Sequence, residues 1–254
     1  MDSSAEKASS VKLVVSPAEW AARVELAAIY RLVEHNGWAG DIFNHSSMRV
    51  PGEERMFLIK RHDMLYNEVT ASNLVKVSMD ADLDEKAGVN RPGFILHGGV
   101  LRARPDVLCA VHIHTDVGSA ISGLSSGLRM VSQNALRLYN RIAYHDFEGI
   151  TESFDESVRI VRNLGDKQVL ILRNHGLMTV AGTARGAYKL MLYLYNAAKV
   201  QLMMEATGQP LAEISREICE ATAAQQARHD SSRDLGDWPA CLRMLDKLDD
   251  SYRQ

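Results

Sequence analysis

The sequence predicts an α/β fold in a single domain, and three observations favour it. Predicted strands and helices alternate along the chain, no internal repeat is visible, and no Pro-, Gly- or Ser-rich linker divides it. The chain has 254 residues, of which 46% are hydrophobic and 24% charged, so it can bury most of its apolar surface in one core. This composition excludes collagen-like, low-complexity and wholly disordered proteins.

Charge and segment length exclude further classes. A formal net charge of -3 does not favour a nucleic-acid or membrane partner, which would need a basic face. No window reaches the roughly 18–20 apolar residues of a membrane span, and the first residues lack the apolar core of a secretory signal. We expect a disordered arm over residues 1–15 and one domain with C-terminal helices over residues 16–254. Three cysteines, odd in number and far apart, favour a reducing, cytoplasmic location.

The first third of the chain predicts one helix and three strands. Ser16 is placed to cap the helix with Pro17 in its first position, and Asn36-Gly37 ends it. Pro51-Gly52 marks a turn between hairpin strands. The predicted strands are the end of segment 41–50, residues 56–60 and residues 74–79, and a charged loop follows over residues 80–88.

Strands and helices alternate over the remaining two thirds of the chain. The continuous apolar runs at residues 108–114 and 169–172 are typical of buried strands. The other predicted strands are residues 142–147 and 177–180, and the predicted helices are residues 94–103, 116–123, 155–163, 183–206, 211–228 and 238–248. The helix at 183–206 is apolar on most faces, which favours a subunit interface in addition to core packing.

The strongest chemical signal is the pair His112 and His114. Side chains alternate between the faces of a strand, so these two imidazoles point the same way, about 6.6 Å apart along the backbone. That geometry allows both to bind one metal ion, although hydrogen-bonded core histidines would give the same pattern. The pair lies at the end of an apolar strand, where sites in open α/β sheets are found.

A third histidine, His175, follows the other buried strand, and Gly176 would let the backbone turn there. Three imidazoles leave open positions on the ion, which is typical of a catalytic site. Zinc is the first expectation, with Mn²⁺, Fe²⁺ or Co²⁺ as alternatives. The other interpretation is that His175 only caps its strand. His97, on a helix, and His45, on a polar loop, are candidates for catalysis and for ligand contact, or for structural hydrogen bonds.

Six segments in order resemble the class II aldolase and adducin family, over about residues 18–207, and most closely its adducin-like branch. They are GWAGDIFNHSSMRV (37–50), YNEVTASNLVKV (66–77), NRPGFILH (90–97), residues 104–115, AYHDFEG (143–149) and LRNHGL (172–177). The resemblance implies a three-layer α/β/α sandwich with a mostly antiparallel central sheet. It also implies homotetramers with active sites between subunits, and a divalent metal on His112, His114 and His175. That metal would stabilise an enediolate formed when a neighbouring bond breaks.

The sequence departs from the family's aldolases at the base and at the phosphate pocket. Gly93 stands where those enzymes have a glutamate, and glycine supplies no base. Of the phosphate-pocket positions only Asn44 is kept, so a phosphate ester is not expected. Arg91, with Arg61, could instead hold a carboxylate, or both could be solvated. The candidate substrate-binding residues are Asn44, His45, His62 and Arg91.

The proton donor is also replaced. Where a family aldolase offers a tyrosine to its neighbour, this chain has Gln133, so His97 or a metal-bound water is expected to act instead. The candidate catalytic residues are therefore His97 and Gln133.

These residues predict a metal-dependent lyase that cleaves a carbon–carbon bond of a small non-phosphorylated hydroxy, keto or aromatic acid, by decarboxylation or retro-aldol cleavage. A hydro-lyase or epimerase on the same site, with a base from a neighbouring subunit, is the first alternative. A non-enzymatic adducin-like binding module is the second, although the chain ends without the Lys-rich extension of adducins.

Overall fold

The computed structural model describes residues 10–254 except 81, 82, 84, 152 and 233–235. The strands are β1 (His45–Val50), β2 (Glu53–Ile59), β3 (Val75–Ser78), β4 (Cys109–Ile113), β5 (Ile142–His145), β6 (Val169–Leu172) and β7 (Gly176–Ala181). The helices are α1 (Pro17–His35), α2 (Arg91–Ala103), α3 (Asp116–Gly123), α4 (Gln133–Leu136), α5 (Phe154–Leu164), α6 (Ala184–Glu205), α7 (Arg216–Ser232) and α8 (Asp237–Leu248). Short 3-10 helices lie at Tyr66–Glu68, Glu85–Ala87 and Asp250–Arg253.

The strands form one mixed sheet in the order β3-β2-β1-β4-β7-β6-β5. Neighbouring strands run antiparallel except β5 and β6, which are parallel. One face packs against α1, α3, α6 and α8, and the other against α2 and α5. The predicted α/β/α sandwich with a mostly antiparallel sheet is confirmed.

The alternation along β4 decides where its histidine points. Cys109, Val111 and Ile113 pack into the core under α1 and α6, whereas Ala110 packs under α2 and α5. Because side chains alternate between faces, His112 shares the face of Ala110. The histidine therefore lies between the sheet and the layer of α2 and α5.

Local signals explain most of the element boundaries. Ser16 Oγ accepts a hydrogen bond from the Glu19 N–H at 3.0 Å, so the predicted cap of α1 is confirmed. The hairpin turn at Pro51-Gly52 is also confirmed, and Gly52 takes a φ of 80° there. Strand β2 begins at Glu53, earlier than predicted, because Glu53 pairs with Val50 across the turn.

Three predicted element boundaries need correction, and one short helix is absent from the predictions. Helix α2 begins at Arg91 rather than 94, because Asn90 Oδ1 accepts a hydrogen bond from the Gly93 N–H at 3.0 Å. Residues 211–215 are not helical, since the Ile214 N–H donates to the Met130 carbonyl at 3.0 Å and α7 starts only afterwards. The short helix α4, capped by Ser132, is not predicted. Strand β5 ends at His145, two residues before the predicted end.

The predicted N-terminal arm lies partly outside the described residues, which begin at residue 10. Residues 10–14 form a helical turn instead of an arm without structure. The Val15 N–H donates to the Val11 carbonyl at 3.2 Å, and Lys12 Nζ lies 5.6 Å from the centre of the Trp20 ring. These contacts tie the turn to the start of α1.

None of the helices in the described part of the chain is long and apolar enough to cross a membrane. Cys109, Cys219 and Cys241 all have free thiols.

Candidate metal centre

Three histidine rings meet where β4 and the turn between β6 and β7 come together. His112 lies in β4, His114 follows the end of that strand, and His175 lies in the turn. The Nε2 atoms of His112 and His114 are 2.6 Å apart, and those of His114 and His175 are 2.8 Å apart. One nitrogen from each ring lies within 4.8 Å of the other two, so the three could hold a metal ion.

Glycine at position 176 makes this approach possible. A Cβ atom at Gly176 would lie 2.5 Å from the Ile113 carbonyl oxygen and 3.0 Å from the His114 ring. Real Cβ atoms do not approach a backbone carbonyl that closely, so any side chain would push β7 away from β4. The small residue thus keeps His175 beside the other two rings.

Hydrogen bonds fix the ring of His112 and the backbone of His114. His112 Nδ1–H donates to the Leu177 carbonyl at 2.9 Å, which leaves the Nε2 lone pair facing the cluster. The His114 N–H donates to Asn44 Oδ1 at 2.9 Å, and Asn44 Nδ2 donates to the Trp38 carbonyl at 2.9 Å. Asn44 therefore fixes the backbone that carries His114.

Burial keeps the three imidazoles neutral. It lowers the pKa of His112 well below its ordinary value, lowers the pKa of His114 to about 4, and lowers the pKa of His175 as well. The neighbouring rings add to the effect because two positive charges would repel each other. A neutral imidazole has the lone pair that a cation needs, so the donor set suits a divalent ion at neutral pH.

The cluster forms the floor of an open cavity of about 440 Å³. Its lining consists of Phe43, His45, Asn90, Pro92, Gly93, Leu96, His112, His114, Phe147, Gly149, Ile150, Thr151 and His175. Among the residues that the structure describes, no Lys, Arg, Asp or Glu lines this cavity. The site thus combines three neutral metal donors with largely apolar walls.

The His45 ring fills the space beside Gly93, the position at which the family resemblance led us to look for a glutamate. His45 pairs with His112 across β1 and β4, so both rings lie on the same face of the sheet. A Cβ atom at Gly93 would lie 2.9 Å from the His45 ring, so this ring fills the space beside Gly93. The His45 Nε2 atom is buried and has no hydrogen-bond partner among the described residues. It is therefore available to a bound molecule.

Three of the predicted substrate-binding residues do not line the cavity. Asn44 is completely buried and its amide is engaged with the backbone on both sides, so the prediction that it contacts substrate is wrong. Arg91 is exposed and outside the lining, and Arg61 forms a two-point ion pair with Asp63, so neither binds a carboxylate in this cavity. His62 lies at the rim, with its ring centre 6.0 Å from that of Phe43.

The two predicted catalytic residues also lie outside the cavity. His97 is completely buried behind His45 and His112, with ring centres 6.2 and 6.4 Å away, and its Nδ1 is 2.6 Å from Ser47 Oγ. Direct proton transfer from His97 to a molecule in the cavity is therefore excluded. Gln133 is exposed on α4. A contribution of Gln133 to a neighbouring subunit stays a prediction.

The apolar walls are what sequence reasoning missed. Phe43, Phe147 and Ile150 are large apolar side chains that are 55%, 57% and 74% exposed at the cavity mouth. Polar residues follow Phe43 in FNHSS and surround Phe147 and Ile150 in HDFEGIT. An isolated large apolar residue in a polar loop is the signal that could have found them, although many such residues have no function.

The chain is similar to proteins of one family. Residues 24–202 match the model described as the Class II Aldolase and Adducin N-terminal domain. The chain is 40% identical over 246 residues to a Caulobacter vibrioides protein that carries a provisional class 2 aldolase name. The match covers 96% of this chain and 96% of that protein. The chain is 44% identical over 191 residues to alpha-adducin from Rattus norvegicus, which covers 73% of this chain and 26% of the adducin. A solved aldolase II superfamily protein from Pseudomonas syringae has a TM-score of 0.89 and 37% identity, and the match covers 96% of this chain and 100% of that chain.

Proposed function

Because this chain belongs to the class II aldolase and adducin N-terminal domain family, we propose that it is a divalent-metal-dependent lyase that cleaves a carbon–carbon bond. The substrate is a small, non-phosphorylated hydroxy, keto or aromatic acid, and the reaction is a decarboxylation or a retro-aldol cleavage. The observation that carries this proposal is the convergence of three neutral imidazoles on the floor of an open cavity.

In this proposal His112, His114 and His175 hold the ion, which is Zn²⁺ or, as alternatives, Mn²⁺, Fe²⁺ or Co²⁺. When bound, the ion supplies the positive charge that stabilises a developing negative charge on a substrate oxygen. The Asn44 bridge holds the backbone of His114 in place, and the apolar walls exclude water from the reacting end. His45 Nε2 forms a hydrogen bond to the substrate.

Two features support a non-phosphorylated substrate and favour decarboxylation. A phosphate dianion needs cationic or N–H partners, and the described lining offers no Lys or Arg. Gly93 provides no carboxylate to remove a proton from carbon. Decarboxylation needs no such base, because the bond that breaks releases CO₂ and leaves its electron pair on the substrate carbon.

The test is to load the protein separately with each of the four metals and to supply a panel of hydroxy, keto and aromatic acids. We expect CO₂ or an aldehyde fragment from at least one acid. We expect none from the His175→Ala variant, which should retain far less metal, and unchanged turnover in His35→Ala, whose histidine is exposed at the end of α1. Metal-loaded protein that cleaves no acid of the panel contradicts the proposal.

Two further statements belong to the same proposal. We propose that the protein is a homo-oligomer, a tetramer by resemblance, with sites near subunit boundaries. Met203 and Met204 near the end of α6 are 63% and 38% exposed, and so offer apolar surface for such contacts. The three free thiols support a reducing, cytoplasmic location.

The similarity to alpha-adducin supports a second candidate, a module that binds a protein partner without catalysis. The retained histidine cluster speaks against it, because three imidazoles at a cavity floor add little to packing. Elemental analysis separates the two candidates: a binding module purifies without a stoichiometric metal and does not gain one on dialysis against it.

A further inference from the structure

We infer that the substrate has an aromatic or branched alkyl body, with its polar groups confined to the end that meets the three histidines. This inference rests on the proposed function and names its substrate class. It follows from the walls of the cavity, from the polar groups that those walls offer, and from the available volume.

The walls nearest the histidines are apolar. The Phe147 ring centre lies 6.4 Å from that of His175, and the two rings are nearly perpendicular at 82°. Phe43, Leu96 and Ile150 also line the cavity. Large apolar side chains exposed together around a cleft are typical of a surface that binds an apolar group, because their exposure to water is unfavourable.

The polar side chains of the walls are already engaged. Asn90 Oδ1 accepts the Gly93 N–H at 3.0 Å, and its Nδ2 lies 3.4 Å from His62 Nδ1. Thr151 Oγ1 donates to Glu156 Oε1 at 3.0 Å. In the described part of the wall, His45 Nε2 is the remaining buried side-chain nitrogen without a partner.

Walls with so few free polar groups disfavour sugars and sugar acids as substrates. A polyhydroxy substrate would bury several hydroxyl groups along these walls, where they would lose water and find no unpartnered buried side-chain atom other than His45 Nε2. An apolar group has no hydrogen bonds with water to lose there, and the removal of its surface from water is favourable. The cavity of about 440 Å³ falls within the range of small-molecule sites, roughly 300–1,000 Å³, so it has room for one aromatic ring beside the polar end.

Three 2-hydroxy acids with the same polar end test the inference. Lactate carries a methyl group, glycerate a hydroxymethyl group and mandelate a phenyl ring. Their affinities for zinc-loaded protein are measured by calorimetry, which requires no turnover. We expect mandelate to bind at least tenfold more tightly than lactate, and glycerate to bind no more tightly than lactate. Glycerate binding as tightly as mandelate, or equal affinity for all three, overturns the inference.

Variants test whether the walls cause the preference. In Phe147→Ser we expect the ratio of mandelate affinity to lactate affinity to fall below threefold. Leu248→Ser is the matched control, because Leu248 is similarly exposed, at 63%, but lies at the end of α8 and outside the cavity lining. An undiminished ratio in Phe147→Ser overturns the inference, and a changed sedimentation coefficient in that case assigns Phe147 to a subunit contact.

The outcomes separate this inference from the proposed function. Preferential binding of mandelate without cleavage of any acid contradicts the lyase and leaves the substrate class intact. Cleavage of a polyhydroxy acid in preference to aryl and alkyl acids supports the lyase and overturns the substrate class.

Discussion

At the scale of single residues, Gly93 and His45 depend on each other. The His45 ring occupies the space that a side chain at position 93 would need, with a closest approach of 2.9 Å. The space beside Gly93 is therefore filled by this ring and is not open to a bound molecule. A side chain at position 93 would have to displace the ring of His45, the residue that lies opposite the proposed metal ligand His112 in the β1–β4 pair.

We expect Gly93→Ala to lower the free energy of unfolding by about 1–3 kcal/mol, the usual cost of overpacking. Urea unfolding measures it. Gly98→Ala in the same helix is the matched control, because its Cβ atom would meet the Phe57 ring at an ordinary 3.5 Å. That substitution should be neutral, or stabilising by up to about 1 kcal/mol through helix propensity.

The double variant Gly93→Ala/His45→Ala separates the contact from other effects of the new methyl group. Removing the ring relieves the overlap, so the two substitutions should be non-additive, and Gly93→Ala should cost much less in the His45→Ala background. Additive losses would contradict the proposed dependence.

Burial of His97 predicts a pH dependence of stability. Burial lowers the pKa of His97 to about 3, whereas the unfolded chain has a value of about 6.5. Between pH 3 and 6.5 the unfolded chain binds a proton at this histidine that the folded protein does not bind. The contribution of His97 to the free energy of unfolding is therefore complete above pH 6.5 and is lost as the pH falls towards 3. The slope from this residue is up to about 1.4 kcal/mol per pH unit.

The measurement is the free energy of unfolding of metal-free protein between pH 7 and 4.5. Burial also lowers the pKa of His45 and His112, so the wild-type slope contains several contributions. His97→Asn keeps a polar group near Ser47. In this variant we expect a smaller slope, because the unfolded chain no longer binds the proton of His97; the decrease corresponds to about one proton, or up to about 1.4 kcal/mol per pH unit. An unchanged slope in His97→Asn would contradict the prediction.

Sequence reasoning succeeds for residues whose direction follows from the period of a strand. His112 and His114 share a face because they are two positions apart, and His175 follows a recognisable buried strand. Sequence reasoning fails for the burial of His97, since the depth of a helical residue depends on which side of α2 packs against the sheet. It fails for Asn44 because its two backbone partners lie in separate segments that only the fold brings together.

At the scale of elements, the boundaries that matter for the site are set by caps. Apolar spacing alone predicts that α2 starts at residue 94, whereas the Asn90 cap moves the start to Arg91. This shift brings Gly93 into the first turn, under the His45 ring. The buried strands β4 and β6 are predictable from their apolar runs, but the cap is visible only once the helix start is known.

We expect Asn90→Ala to cost about 0.5–2 kcal/mol of stability, because the Gly93 N–H loses its side-chain acceptor. Ser153→Ala is the matched control, since Ser153 caps α5 in the same way, at 3.3 Å from the Glu156 nitrogen. Both variants should lower stability in chemical denaturation. Only Asn90→Ala should also weaken mandelate binding to zinc-loaded protein, by about threefold or more, because it loosens the cavity wall. Equal binding in both variants would show that the cap acts on stability alone.

At the scale of the whole molecule, the site joins distant parts of the chain. His112 and His114 lie in and just after β4, a central strand, while His175 is separated from His114 by 61 positions. The cavity walls come from further segments around Phe43, Asn90 and Phe147. Alternation of strands and helices predicts the sandwich, but a wall built from several loops depends on tertiary packing that no local pattern encodes.

A metal ion shared by two distant segments should stabilise the entire fold. Binding to the native state alone stabilises by about 2.7 kcal/mol when the free metal exceeds its dissociation constant 100-fold. For a chain of this size that corresponds to roughly 5–10 °C in melting temperature. We therefore expect the zinc-loaded protein to melt at a temperature higher by that amount than the same protein after treatment with a chelator.

His175→Ala distinguishes binding at this cluster from zinc bound elsewhere. The variant leaves two imidazoles from a single segment, so zinc can no longer join that segment to the turn between β6 and β7. Its melting temperature, followed by circular dichroism, should change by less than about 2 °C on chelation. His62→Ala removes a histidine at the rim of the same cavity and should keep the full shift. An equal shift in His175→Ala and wild type would mean that the stabilising ion lies outside the three-histidine cluster, and the metal centre would have to be assigned to other residues.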